Sequence, residues 1–240
     1  MTPRRHTFAI IAGAAVAASG AGAQTAQKET IAVIGTGTVG RTMGKLWAKA
    51  GHRIIYGSRT PDDPRVKTLV ADTGNGATVS MPKAAAAGAD IVLLGVPYPA
   101  AEEAVKALGD LTGKIIIEPM NNIKVADNYP LPNDKPVSVA EQVQAWAPGA
   151  LVVKALNTLP MSIVEDPRKA SGPVSIPLSG NDKAAKARVA ALISAVGLKP
   201  IDVGPLFTAR YVEDMYRLYS GFRRNNPGKA FDYNLQIRDN

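Results

Sequence analysis

Three glycines stand at fixed spacing in Ile31-Ala32-Val33-Ile34-Gly35-Thr36-Gly37-Thr38-Val39-Gly40. By themselves they are weak evidence, since a structural turn in another α/β protein would show the same letters. Their surroundings say more. Residues 30–34 form a short apolar, β-branched run of the kind found in buried strands. Beyond the glycines, Val39, Met43, Leu46, Trp47 and Ala50 recur at helical spacing. In a strand–turn–helix unit the first glycine permits the tight turn and the second lets backbone amides approach a pyrophosphate. The third lets the helix pack closely on the strand. The free amides and the helix dipole then favour negative charge. Gly35, Thr36, Gly37, Thr38, Val39 and Gly40 are therefore candidate residues for binding a dinucleotide.

The next strand, residues 53–56, leads into Gly57-Ser58-Arg59-Thr60. Domains that select NAD usually place a carboxylate there, about 20 residues beyond the glycines, to bond the ribose 2′-hydroxyl. Here no carboxylate is present to repel a phosphate. Arg59 offers a forked guanidinium to a 2′-phosphate, and the Ser58 and Thr60 hydroxyls can donate to it. NADP(H) is thus expected over NAD(H), although Arg59 equally fits a solvated surface arginine. Ligands of parallel sheets lie beyond the carboxyl ends of the strands. Val96 and Pro97, ending the apolar run 91–96, are therefore expected near a nicotinamide. Tyr98 either flanks that ring or packs at the sheet edge. Glu118 ends the following strand at the same height, with no His or Lys partner evident. No catalytic side chain is assigned.

Composition removes other chemistries. Cysteine is absent, which excludes disulfides and thiol catalysis. His6 and His52 are the only histidines, too few for a histidine-built metal site. The formal charge of +8 falls to +6 once Arg4 and Arg5 are set aside. That excess suits an anionic ligand, and it is spread without the basic block expected for nucleic acid. Arg4 and Arg5, an apolar run over residues 8–18 and the small residues Ala21-Gly22-Ala23 have the layout of a secretory signal cleaved before Gln24. The run is shorter than the ~20 residues a spanning helix needs. Export, to the periplasm, is expected, with no membrane anchor after cleavage. The paired arginines fit a twin-arginine route imperfectly, since Thr7 stands where a bulky apolar residue usually falls, and a Sec route stays open.

Positioning these residues requires alternating strands and helices. Strands are expected at 30–34, 53–56, 78–79, 91–96, 114–118 and 151–156. Helices are expected after Gly37, at 64–71, 82–87 and 100–108, and from the capping box Ser138-Val139-Ala140-Glu141 to about Trp146. Residues 121–137, rich in Asn and Pro, read as a long loop. The pattern implies an α/β, Rossmann-type doubly wound parallel sheet. After Asn157 come strands at 174–178 and 200–203 and helices at 182–196 and 206–222, followed by a polar, loosely ordered tail. The expected organisation is a signal (1–23), a linker (24–29), an NADP-binding Rossmann domain (30–158) and a smaller C-terminal α/β domain (159–240).

Several of these segments resemble coenzyme F420-dependent NADP oxidoreductases. They are the glycine turn, Gly57-Ser58-Arg59, Val152-Val153-Lys154-Ala155-Leu156-Asn157-Thr158, Ser179-Gly180-Asn181-Asp182 and Asp202-Val203-Gly204-Pro205-Leu206 with Ala209-Arg210. The resemblance runs through residues 30–222 in the same order. It implies direct hydride transfer between NADPH and a deazaflavin held face to face, with no obligatory protein acid or base. It also implies that Asn157, Thr158, Pro160 and Leu206 line the deazaflavin side, although Leu206 also fits pure packing. A small-molecule redox acceptor (coenzyme F420 or a flavin) and a homodimer follow as family expectations. Asn157 departs from the His that archaeal deazaflavin reductases tend to carry there. The same domain occurs in membrane metalloreductases. Three alternatives stand beside this: an imine reductase, reduction of a metal chelate, and an exported NADP-binding module without turnover. The strand–helix–strand order after residue 174 argues against the imine reductases, whose C-terminal part is all-helical.

Overall fold

A computed structural model describes residues 28–126, 129–131 and 137–238; the expected signal and residues 24–27 of the linker lie outside them. In chain order the elements are β1 (Thr30–Ile34), α1 (Thr38–Lys49), β2 (Arg53–Gly57), α2 (Pro64–Thr73), β3 (Thr78–Ser80), α3 (Pro82–Ala87), β4 (Ile91–Leu94), α4 (Ala101–Ala107) and β5 (Ile115–Glu118). Then come the two-residue strands β6 (Val125–Ala126) and β7 (Tyr129–Pro130), α5 (Val139–Trp146), β8 (Leu151–Lys154) and α6 (Met161–Glu165). The chain ends with β9 (Ser175–Gly180), α7 (Lys183–Ser194), β10 (Lys199–Asp202) and α8 (Ala209–Asn225).

Eight strands form one sheet in the order β10-β9-β8-β5-β4-β1-β2-β3. Every pairing from β3 to β8 is parallel, and the strand order reverses between β1 and β4. Unbroken apolar sequence explains the central strands. In β4 and β5 every residue is buried, because helices cover both faces. Alternate residues of β1 serve opposite layers. Ile31 and Val33 pack with Met43, Trp47 and Ile54, whereas Ala32 and Ile34 pack with Val92, Leu94 and Val105.

Local chemistry opens two helices as expected. Asp63 caps α2 by accepting from Arg65 N at 2.8 Å, with Pro64 in the first turn. The capping box of α5 is complete: Glu141 N donates to Ser138 Oγ, and Ser138 N donates to Glu141 Oε2.

The C-terminal segment continues the same sheet. β9 runs antiparallel to β8, and β10 runs parallel to β9. Trp47 on α1 donates its indole N–H to Leu192 O on α7 at 3.1 Å, a further tie across the chain.

Several boundaries differ from expectation. β4 stops at Leu94 and β8 at Lys154, each two residues short. After β4 the chain turns through Gly95 and Pro97, and after β8 Leu156 takes φ +66°, off the extended ladder. The helix expected at 206–222 begins as a 3₁₀ turn over Leu206–Thr208 and then runs as α8 to Asn225. The tail is tied down. Ser175 N donates to Tyr233 O, Leu235 N donates to Ser175 Oγ, and Phe231 meets Tyr219, Phe222 and Tyr233 edge-on. Aromatic residues interleaved with polar ones gave the tail a polar look in sequence while supplying its anchors.

Candidate dinucleotide and acceptor site

β1 delivers the glycine turn at the point where the strand order reverses, the crevice position for ligands in such sheets. Each glycine has a distinct task. Gly35 stands at φ +97°, and a Cβ on it would lie 2.5 Å from Gly95 O. A Cβ on Gly40 would overlap Gly35 O, so α1 packs directly on the turn. A Cβ on Gly37 would meet nothing within 4 Å, so its backbone faces open space. Gly37 also caps α1 without a side-chain hydrogen bond, and the first turn holds no acidic residue. The amides there are left to an anion.

Two cavities meet at Gly37. One, of about 680 Å³, is lined by Gly37, Thr38 and Val39, by Leu94 at the end of β4 and residues 95–99 beyond it, by residues 119–123 after β5, and by Val125. Tyr216, Ser220 and Arg224 of α8 complete it. The other, of about 520 Å³, is lined by Thr36, Gly37, Arg41, Lys45 and Thr60, and by residues of α2 with its cap. A dinucleotide laid over the turn would place its pyrophosphate at Gly37, with one half in each cavity.

Among the residues singled out from sequence, Val96, Pro97 and Tyr98 line the larger cavity. The Tyr98 hydroxyl donates to Gln142 Oε1 of α5 at 2.9 Å, which fixes the ring against the sheet edge. Ser58 is buried and its Oγ accepts from Thr60 N at 3.2 Å, so its own proton remains available for donation. Arg59 is exposed and Thr60 lines the smaller cavity. The four acceptor-side positions are placed differently: Asn157, Thr158, Pro160 and Leu206 line neither cavity. Asn157, Thr158 and Leu206 are buried, and Pro160 caps α6. Asn157 supports the wall from behind, donating through Nδ2 to Asn121 Oδ1 at 3.0 Å and to Val212 O at 3.2 Å.

Glu118 has the partner that the sequence did not reveal. Lys154 lies directly opposite it in the β5–β8 register, and Lys154 Nζ donates to Glu118 Oε2 at 2.8 Å. The same ammonium donates to Glu213 Oε1 of α8 at 3.0 Å and to Met120 O at 2.5 Å. Glu213 Oε1 also accepts from Val139 N at 2.8 Å. Burial pushes the Glu118 carboxyl up; Lys154 opposes this and Glu213 adds to it. All three side chains are fully enclosed, so the cluster braces β5, β8 and α8 and does not touch the cavity. Arg217 N–H groups reach Asp214 Oδ1 and Asn122 O, tying α8 to the loop after β5.

Residues 30–122 match a family described as NADP oxidoreductase coenzyme F420-dependent. The fold resembles that of a protein assigned as an F420-dependent NADP reductase from Arthrobacter sp. FB24, with TM-score 0.77 and 33% identity. The match covers 86% of this chain and 99% of that one. The chain belongs to this family. It is an NADP-dependent oxidoreductase, with NADP(H) as its dinucleotide. It is also 27% identical to the metalloreductase STEAP2 of Homo sapiens over 208 residues, 84% of this chain and 39% of that protein. The chain therefore spans about two fifths of the length of the curated relatives it matches. A reductive aminase from Aspergillus terreus solved with NADPH shares the fold at TM-score 0.59 and 21% identity, covering 82% of this chain and 64% of that one.

Three residues of α8 line the larger cavity without any local signal in the sequence that marks them. Tyr216, Ser220 and Arg224 recur at i, i+4 and i+8, a stripe on one helix face. That spacing was visible, but nothing local said that this face meets the dinucleotide cleft.

Proposed function

We propose that the protein passes hydride between NADP(H) and a deazaflavin or flavin-like acceptor bound in the larger cavity. The observation that carries this is the composition of that cavity's walls. One side is the glycine turn and the Gly95–Pro99 segment, where the nicotinamide half belongs; the other is α8, through Tyr216, Ser220 and Arg224. A volume of about 680 Å³ lies within the usual range for small-molecule sites and has room for a second ring system beside the nicotinamide.

The described residues lining this cavity include no carboxylate, imidazole or lysine ammonium. The dinucleotide supplies the hydride when bound. The chain's contribution is alignment: Gly37 leaves its backbone open to phosphate, Pro97 and Val96 form the wall beside the ring, and the bond from Tyr98 to Gln142 holds an aromatic face in place. An acceptor that takes hydride on an already conjugated ring needs little proton transfer from the protein. Imine reduction needs a proton at nitrogen, for which Tyr98 and Tyr216 are the phenols at hand.

The family relation supports the F420-type acceptor, and the partial match to a metalloreductase supports a metal chelate as the second candidate. The basic, small-residue-ended leader supports export, and a twin-arginine route would carry the protein folded and cofactor-loaded.

The test is NADPH oxidation by residues 24–240 with coenzyme F420, riboflavin-type flavins and a ferric chelate supplied in parallel. Turnover with F420 or a flavin, and much less with NADH, is the expected outcome. Turnover confined to the ferric chelate would replace the acceptor class. NADPH binding with no acceptor reduced would leave an exported binding module as the better account.

A further inference from the structure

The smaller cavity beside the glycine turn has a charge balance that the sequence did not disclose. Its walls carry three cations (Arg41, Lys45 and Arg65) and two carboxylates (Asp63 and Asp72). Both carboxylates are already committed. Asp63 receives Arg65 through Nε at 3.1 Å and Nη2 at 2.7 Å, while also capping α2. The Arg65 side-chain bonds hold the Asp63 carboxyl down at about 2, so it stays ionised at physiological pH. Asp72 receives Lys45 Nζ at 3.2 Å. Arg41 is left with no side-chain partner among the described residues, although it lines a cavity bounded by the turn residues Thr36 and Gly37.

Arg41 lies one helical turn beyond Gly37, its N–H bonding back to Gly37 O at 2.9 Å. From the first turn of α1 it shares the lining of the smaller cavity with Thr36, Gly37 and Thr60. Arg59, the arginine that the sequence offers for the 2′-phosphate, is exposed and is not part of this wall.

We infer that Arg41 is a specificity-determining residue for NADP(H) over NAD(H): its uncommitted guanidinium takes the ribose 2′-phosphate inside the smaller cavity, with Thr36 and Thr60 beside it. A planar fork with five N–H donors suits a phosphomonoester, and an unpaired cation carries no competing internal bond to break. The inference rests on the NADP(H) reading of the glycine turn and adds to it the residue that tells the two dinucleotides apart.

The experiment compares dissociation constants of NADPH and NADH for wild type, Arg41→Ala, Arg41→Lys and Arg59→Ala. Adenosine 2′,5′-bisphosphate and 5′-AMP serve as fragment probes, and circular dichroism checks folding. Arg41 is exposed and unpartnered, so the variants are expected to fold. Arg41→Ala should weaken NADPH and the bisphosphate by roughly 10- to 100-fold, the usual loss of a charge-assisted bond pair, and leave NADH and 5′-AMP within about twofold. Arg41→Lys should recover part of the loss. An unchanged NADPH-to-NADH preference in Arg41→Ala, or an equal loss for both dinucleotides, would overturn the inference while leaving the cofactor reading intact. Loss of preference confined to Arg59→Ala would return the role to Arg59. A wild type that binds NADH as tightly as NADPH would overturn the cofactor reading and the inference with it.

Discussion

Three glycines of one motif do different work, and substitution should separate them. At Gly35 an added methyl meets both a positive φ and the carbonyl of Gly95, so the turn itself must distort. Gly35→Ala should lower stability by about 1–3 kcal/mol and reduce NADPH binding as a consequence. At Gly37 the added methyl projects into open space and the φ of −70° is ordinary. Gly37→Ala should leave the denaturant midpoint nearly unchanged, yet weaken NADPH by about tenfold or more, because the methyl occupies the path of the pyrophosphate. Denaturant melts and fluorescence titrations on the two variants check this. Equal NADPH affinity in Gly37→Ala and wild type would contradict a dinucleotide laid over this turn.

The elements that carry the acceptor side are held by buried charge. Lys154 on β8 bridges Glu118 on β5 and Glu213 on α8, and Glu213 in turn takes the first amide of α5. Such a cluster is weak evidence of net stabilisation, since the desolvation of its members offsets much of their attraction. Removing its single cation is another matter. Lys154→Met should destabilise the fold by roughly 3–5 kcal/mol, because two carboxyl groups are left enclosed without a counter-charge. Adding Glu118→Gln to that variant should recover part of the loss. A Lys154→Met melt superimposable on wild type would refute the bracing role of the cluster. A looser α8 would also shift Tyr216, Ser220 and Arg224, so acceptor KM should rise in any variant that survives purification.

At the scale of the whole molecule, the strands after residue 158 extend the sheet that begins at Thr30, and this has a mechanical consequence. A chain truncated after Thr158 loses the partner of β8, the Glu213 end of the buried cluster and the acceptor of the Trp47 indole N–H. It would also expose β8 as an unprotected edge, a template for aggregation. Residues 28–158 expressed alone should therefore be poorly soluble and unfold without a sharp transition, whereas 28–240 should unfold cooperatively. Size-exclusion chromatography and urea melts of both forms decide the matter. A soluble, cooperative 28–158 fragment that binds NADPH would show instead that the first part folds by itself.

The glycine turn, the strand order's alternation with helices, and the caps at Asp63 and Ser138 were legible because each is local. A strand, a tight turn and a helix start are specified within about 30 residues, and their chemistry follows from residue type and spacing. The ends of β4 and β8 were less so, because an apolar run continues past the point where Gly95, or Leu156 at φ +66°, takes the backbone off the ladder. What decided the rest was distance along the chain. Lys154 reaches Glu118 across 36 residues and Glu213 across 59, and only the β5–β8 register and the seating of α8 bring them together. Asn157 and Thr158 come after the end of β8 at Lys154 and are buried, with Asn157 donating to Val212 O of α8, and it is α8 that lines the cavity. Nothing local sets Arg41 apart from other helix-surface arginines; only the fold puts it in the wall of a cavity whose Asp63 and Asp72 are already paired. Sequence specifies what each residue can bind; tertiary packing decides which of those bonds are already taken.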